Sequence, residues 1–202
     1  MIGLEIADTV GIIAFALSGF MVATRDRLDL LGIFIAAFLS ALGGGVLRDT
    51  VADRVPFAFS HTLPTLLVIA VLVIAILFKL HKKSEIENSK YFIISDSIGL
   101  ISFSITGALV GLMVDFNIFG VAMLALTTAV GGGIMRDILL NRVPVVLTSE
   151  LYGTVAIIVG IAVFVLDSFS QVNNMSLLAL FCFGLILRLV AYYRKWHLPK
   201  LD

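Results

Sequence analysis

Apolar runs, interrupted at regular intervals by charged or turn-forming clusters, organise the whole chain. The first run covers residues 6–24 and stops at Arg25-Asp26-Arg27. The second, 28–52, closes on Asp53-Arg54-Val55-Pro56. A third, 63–80, precedes the polar stretch 81–90, and further runs follow at 92–114, 117–140, 151–166 and 175–193, the last ending at Arg194-Lys195-Trp196. A helix needs roughly 20 apolar residues to cross a hydrocarbon core. The pattern therefore predicts an all-α membrane protein with seven transmembrane helices.

Shifting the chain by 88 positions superposes its first half on its second without a gap. Asp8 falls on Asp96, Gly11 on Gly99, Phe15 on Phe103, Gly19 on Gly107 and Gly32 on Gly120. Gly43-Gly44-Gly45 falls on Gly131-Gly132-Gly133, Arg48-Asp49 on Arg136-Asp137, and Arg54-Val55-Pro56 on Arg142-Val143-Pro144. Such a match marks a duplication. Each copy holds three spans, an odd number, so the second copy crosses the membrane in the opposite sense, as in inverted-repeat channels and transporters. The expected layout is one transmembrane domain over 1–202: a first repeat at 1–87, an inverted second at 88–170, and a seventh helix with its tail at 171–202.

Composition agrees with this class. Sixty per cent of the residues are hydrophobic and 14 % charged, with a mean hydropathy of +1.10; soluble domains carry about a quarter charged residues. Lys plus Arg equal Asp plus Glu at 14 each, which offers nothing to a nucleic-acid partner. Cys182 stands alone in an apolar run, where a small lipid- or core-facing role is expected, and His61, His81 and His197 form no metal-ligand set. Residues 1–10 lack the positive region that opens a signal peptide. No nucleotide loop, dinucleotide fingerprint or nucleophile elbow is present, so no enzymatic activity and no cofactor are expected.

Basic residues set an orientation. Arg25, Arg27, Lys79, Lys82, Lys83, Lys90, Arg142, Arg194, Lys195 and Lys200 all fall in loops on one face, whereas the other face holds Arg54. Positive charge concentrates on the cytoplasmic side, which puts the N-terminus outside and the C-terminus inside. Tyr192, Tyr193 and Trp196 fit an interfacial belt. Lys79, Lys82 and Lys83 offer charge to anionic lipid headgroups, although a cytoplasmic loop needs no lipid site to explain them.

The chemistry is concentrated at the triple glycines. Glycine costs about 1 kcal/mol against alanine inside a helix, and three in a row predict a kink or unwound turn. From Leu28 to Gly44 is about 24 Å at 1.5 Å per residue, which puts the break at or beyond mid-membrane. Freed carbonyls there must meet protein, water or a cation; a close helix crossing is the alternative use of glycine. Arg48-Asp49 and Arg136-Asp137 follow three residues later. Arginine so deep demands compensation, and parity puts Asp8 beside Arg48 at one end and Asp96 beside Arg136 at the other. The N-terminal dipole of a half-helix after the break would favour Asp49 and Asp137. A ridge at four-residue spacing (Ala7, Gly11, Phe15, Gly19 and Ala23, mirrored by Ser95, Gly99, Phe103, Gly107 and Gly111), mostly of small residues, predicts close helix packing of the first and fourth spans. Ser18, Thr106, Ser40 and Thr128 offer hydroxyls beside the glycines, whether for a cation or for their own helix carbonyls.

At its two Gly-Gly-Gly-x-x-Arg-Asp motifs the chain resembles the prokaryotic branch of the trimeric intracellular cation channels, whose domain is also labelled a glycine-transporter domain in bacteria. The resemblance covers almost the whole chain. It implies a homotrimer in the bacterial inner membrane, with an hourglass pore for potassium and sodium in each subunit. It also implies that the kinked second and fifth helices, at Gly43 to Gly45 and Gly131 to Gly133, line that pore. Permeant potassium or sodium would pass these glycines, with membrane lipid as the other partner. A secondary transporter of glycine or another small amino acid would use the same elements, with Arg48 or Arg136 on the substrate carboxylate.

Overall fold

The computed structural model describes residues 2–80, 90–148 and 151–199, all of them helix or connecting turn. The helices are α1 (Ile2–Arg25), α2 (Leu30–Val51), α3 (Phe57–Ser60), α4 (Leu63–Leu77), α5 (Lys90–Met113), α6 (Ile118–Leu139), α7 (Val145–Thr148), α8 (Tyr152–Ser168) and α9 (Asn174–Tyr193). Five of them are long and apolar enough to span a membrane, and α4 and α8 are shorter apolar helices. The two short ones, α3 and α7, were not anticipated. Each is a single turn started by the Arg-Val-Pro segment, in which proline lacks a donor and opens a helix readily. His81, Lys82, Lys83 and Lys200 lie outside the described residues.

The 88-residue offset governs local geometry as well as sequence. Asp29 caps α2 by accepting from Gly32 N at 2.7 Å, and Asn117 caps α6 by accepting from Gly120 N at 2.9 Å. The ends of these helices also match. Arg27 and Asp115 close α1 and α5 in the left-handed region, at φ 56° and 55°, and Asp53 and Asn141 close α2 and α6 at 52° and 53°. Asp and Asn tolerate that conformation better than other side chains. After each of these residues the chain bonds back across the last turn: Arg54 N to Asp49 O and Arg142 N to Asp137 O, both at 2.8 Å. This is the hydrogen-bonding pattern that ends helices before a reversal.

The two repeats embrace about a pseudo-two-fold axis, so that α1 packs on α5, its own counterpart, and α2 on α6. Phe15 and Phe103, which are equivalent positions, meet at 5.3 Å between ring centroids. Each ring occupies the space left by the partner's glycine: a Cβ on Gly99 would lie 2.6 Å from Phe15, and one on Gly11 would strike Phe103. The small-residue ridge therefore receives an aromatic side chain rather than a flat helix face. α4 packs on α1, α8 on α5 and α6, and α9 closes the bundle against α5 and α8. The fold is an all-α membrane bundle of two inverted three-helix repeats with a seventh helix added. Cys182 lies on an exposed face of α9.

Candidate functional site

The triple glycines sit in uninterrupted α-helix, and this corrects the expected break. Both α2 and α6 stay helical through them, with no unwound turn. What the glycines permit is contact. A Cβ on Gly44 would strike the carbonyl oxygen of Thr128, and one on Gly132 would strike that of Ser40, its symmetry equivalent. Gly43 faces Met135 and Gly132, while Gly131 faces Leu47 and Gly44. The two helices thus cross backbone to backbone on the pseudo-two-fold axis, where any larger residue would hold them apart. The third glycine of each set differs. A Cβ on Gly45 would have Arg48 Nη2 as its nearest neighbour at 3.9 Å, and one on Gly133 would have Arg136 Nη2 at 3.8 Å.

Because the helices continue, Arg48-Asp49 and Arg136-Asp137 occupy last turns rather than the first turn of a half-helix. The helix dipole therefore acts on them in the opposite sense. The arginines are favoured by the negative end, and the aspartates need other support. Two donors supply it. Asp49 accepts from Arg48 Nε at 2.9 Å and from the backbone N–H of Phe57, the first residue of α3, also at 2.9 Å. Asp137 accepts from Arg136 Nε at 2.8 Å and from Val145 N, the first residue of α7, at 3.0 Å. Each aspartate therefore ties an Arg-Val-Pro turn to the end of its helix. All four side chains are buried.

The repeats diverge at the outer partners of these pairs. Arg48 Nη1 donates to Asp8 at 2.8 Å. A small recess of about 20 Å³, roughly the room one water needs, opens beside this pair, lined by Asp8, Gly45, Arg48, Asp49, Phe57 and Phe103 among others. At the opposite end Arg136 turns instead to Ser40 Oγ of the other repeat, at 3.4 Å. Asp96 accepts from Ser18 at 3.2 Å, and Tyr152 lies near enough to act on the same carboxylate. The expected hydrogen bond of Asp96 with Arg136 is thus replaced by one from Ser18, although the guanidinium remains close enough to act on the carboxylate electrostatically.

Of the hydroxyls singled out in the sequence, Ser18 is the one that donates across the bundle, while Ser40 also accepts across it from Arg136. Ser40 donates to Ala36 O at 2.7 Å, Thr128 to Leu124 O at 2.6 Å and Thr106 to Phe103 O at 3.3 Å, each within its own helix. Two further residues belong to the site and were not recognised in the sequence. Arg188, near the end of α9, is buried at 3 % exposure, and its guanidinium carbon stands 4.8 Å from the centroid of the Tyr152 ring. A single arginine inside an apolar 20-residue helix is the signal that could have revealed it. Tyr152 lay at a predicted span boundary, with nothing in the first repeat to mark it. At the same end Arg142 pairs with Asp26, joining the second Arg-Val-Pro turn to the loop after α1.

A family model described as Glycine transporter matches residues 5–82 and again 93–168, once for each repeat. UPF0126 membrane protein YvgT of Bacillus subtilis is 35 % identical over 97 % of this chain and 95 % of its own length. UPF0126 inner membrane protein YadS of Escherichia coli K12 is 31 % identical over 76 % of this chain and 74 % of its own. Among solved structures, a TRIC cation channel studied for the structural basis of its conductance aligns with a TM-score of 0.86 and 33 % identity, covering 98 % of this chain and 97 % of that one. The TRIC trimeric intracellular cation channel orthologue from Rhodobacter sphaeroides aligns at 0.85 with 28 % identity, over 95 % and 98 % of the two chains. The duplication, the inverted bundle and these likenesses agree: this membrane protein belongs to the trimeric intracellular cation channel family, whose sequence model bears the description glycine transporter.

Proposed function

We propose that the protein is a passive channel for monovalent cations, potassium and also sodium, with a pathway through each subunit of a homotrimer in the bacterial inner membrane. The observation that carries this reading is whole-chain likeness to TRIC cation channels at 28–33 % identity. The buried charges support it. An Arg-Asp cluster at each end flanks the glycine crossing, so polar groups line both approaches to the centre of the bundle while the centre itself is tight. With α2 and α6 in contact at Gly44 and Gly132, conduction requires these helices to part. The side chains that lie across the crossing, Met135 on Gly43 and Leu47 on Gly131, are flexible and can withdraw as the helices part. Carbonyls and hydroxyls at Ser40 and Thr128 would then meet a dehydrated cation. Loop charge puts the Asp8 end outside and the Asp96 end in the cytoplasm.

Purified protein in planar bilayers tests the proposal. Discrete unitary currents whose reversal potential follows the potassium gradient rather than chloride are the expected result. Saturable glycine counterflow without unitary current would overturn it in favour of a carrier.

A further inference from the structure

The turns that end α1 and α5 share one backbone frame, and so do those that end α2 and α6. Asp26 N donates to Val22 O at 3.3 Å and Val114 N to Val110 O at 3.2 Å, while Arg54 N and Arg142 N donate to Asp49 O and Asp137 O. The 88-residue shift carries Asp26 onto Val114 and Arg54 onto Arg142. Side-chain chemistry breaks this equivalence. At the Asp96 end Arg142 Nη2 donates to Asp26, with 27 % and 26 % of the two side chains exposed. At the Asp8 end Val114 offers Arg54 no acceptor. The frame is built at both ends, and this ion pair at one. Its position matters. Asp26 is bonded to the last turn of α1 and precedes Asp29, the cap of α2; Arg142 is bonded to the last turn of α6. α1 packs on α2, α4 and α5, and α6 on α2, α5 and α8, so the pair ties the start of α2 to the end of α6 from outside the glycine crossing.

We propose that Asp26 and Arg142 form a latch that holds the Asp96 end of the α2–α6 crossing shut, and that the pair breaks when the helices part. The inference rests on the channel reading and names what restrains that channel in its closed state. Backbone bonds fix both residues to helix ends, so neither follows the other through a slack loop when α6 moves away from α2. An interaction made in only one of two states shifts their ratio by its own strength. A partly exposed ion pair is worth a factor of about two to five, so the latch biases the gate without locking it. With valine in the place of the acid, the Asp8 end lacks this restraint.

Single-channel recording in symmetrical KCl tests the latch through the ratio of open to closed time. The size of the current is the wrong readout, because removing a charge near a mouth alters it whatever the structural role of that charge. Arg142 has further interactions, so the pair is broken at Asp26. Asp26→Asn keeps the shape of the side chain and is expected to raise the ratio about two- to five-fold. Asp26→Glu, which keeps the charge, should stay near wild type. Val114→Asp gives Arg54 the missing acceptor and is expected to lower the ratio by a similar factor. An unchanged or lowered ratio in Asp26→Asn overturns the proposal, as does an Asp26→Glu channel that opens as readily as Asp26→Asn. If the Asp26 variants do not fold, Val114→Asp decides: a lowered ratio upholds the latch, and an unchanged or raised one overturns it. Absence of any unitary cation current from wild-type protein defeats the channel reading itself, whereas openings whose ratio ignores Asp26 defeat this inference alone.

Discussion

Alanine at the second and third glycines of each set should have opposite effects on stability. At Gly44 the new methyl meets the Thr128 carbonyl oxygen, and at Gly132 that of Ser40, both backbone atoms that cannot rotate away. At Gly45 and Gly133 it meets nothing nearer than the tip of a flexible arginine, at 3.9 and 3.8 Å. Alanine gains about 1 kcal/mol of helix propensity at any of the four positions. Overpacking against a fixed wall costs about 1–3 kcal/mol, toward the upper end when the wall is backbone. The propensity gain cancels when Gly44→Ala is compared with Gly45→Ala, so their difference isolates the clash, about 3 kcal/mol. At about 2–4 °C per kcal/mol for a chain of this length, the melting temperatures should separate by roughly 6–12 °C. Gly45→Ala should sit at or slightly above wild type. Thermal unfolding of purified protein, followed by retention on size exclusion, measures this. Melting temperatures within about 2 °C of each other would refute the helix crossing as the reason for the glycines.

Three other outcomes follow from the described contacts. Asp8→Asn takes one carboxylate from Arg48 but leaves Asp49, and should cost about 3 kcal/mol, the lower end for breaking a buried pair; it should also reduce cation current entering from the Asp8 end at low salt. Asp49→Ala removes the acceptor of the Phe57 N–H, so limited proteolysis should cut between residues 53 and 60 far faster than in wild type, while cleavage elsewhere stays constant. Phe15→Ala and Phe103→Ala should each cost about 3–5 kcal/mol, and the double variant should cost less than their sum by about 0.5–1.5 kcal/mol, the worth of an aromatic pair. Additive losses would argue against the ring contact on the axis.

Much of the fold could be read from residue pattern alone. Span boundaries fell within a few residues of the helices because Asp29 and Asn117 cap and Arg27, Asp53, Asp115 and Asn141 terminate at positions rich in polar side chains. The repeat register carries over to the caps, turns and ring pair. Sequence parity also brings Asp8 to the side of Arg48. The state of the triple glycines was beyond reach of pattern, because local cost argues for a break while the compensating contact comes from a helix 88 residues away. Arg136 and Asp96 part company for a similar reason. Ser40, Ser18 and Tyr152 lie on three different helices, and no spacing in one helix announces which of them will take the bond. Arg188 escaped because repeat comparison is blind to a helix that has no copy.

The reciprocal seating of Phe15 beside Gly99 and Phe103 beside Gly11, together with the backbone crossing of Gly44 and Gly132, gives the chain the geometry of an isologous dimer joined end to end. In such an interface one surface is its own complement. Each three-helix half therefore presents the face that the other half recognises, and the link between them serves as a tether more than as a template. Co-expressed as separate polypeptides cut within residues 81–89, the halves are expected to reassemble into one bundle. A single half inserted in both orientations would pair with itself, which is the most economical origin for a molecule whose two halves share caps, turns and the glycine crossing.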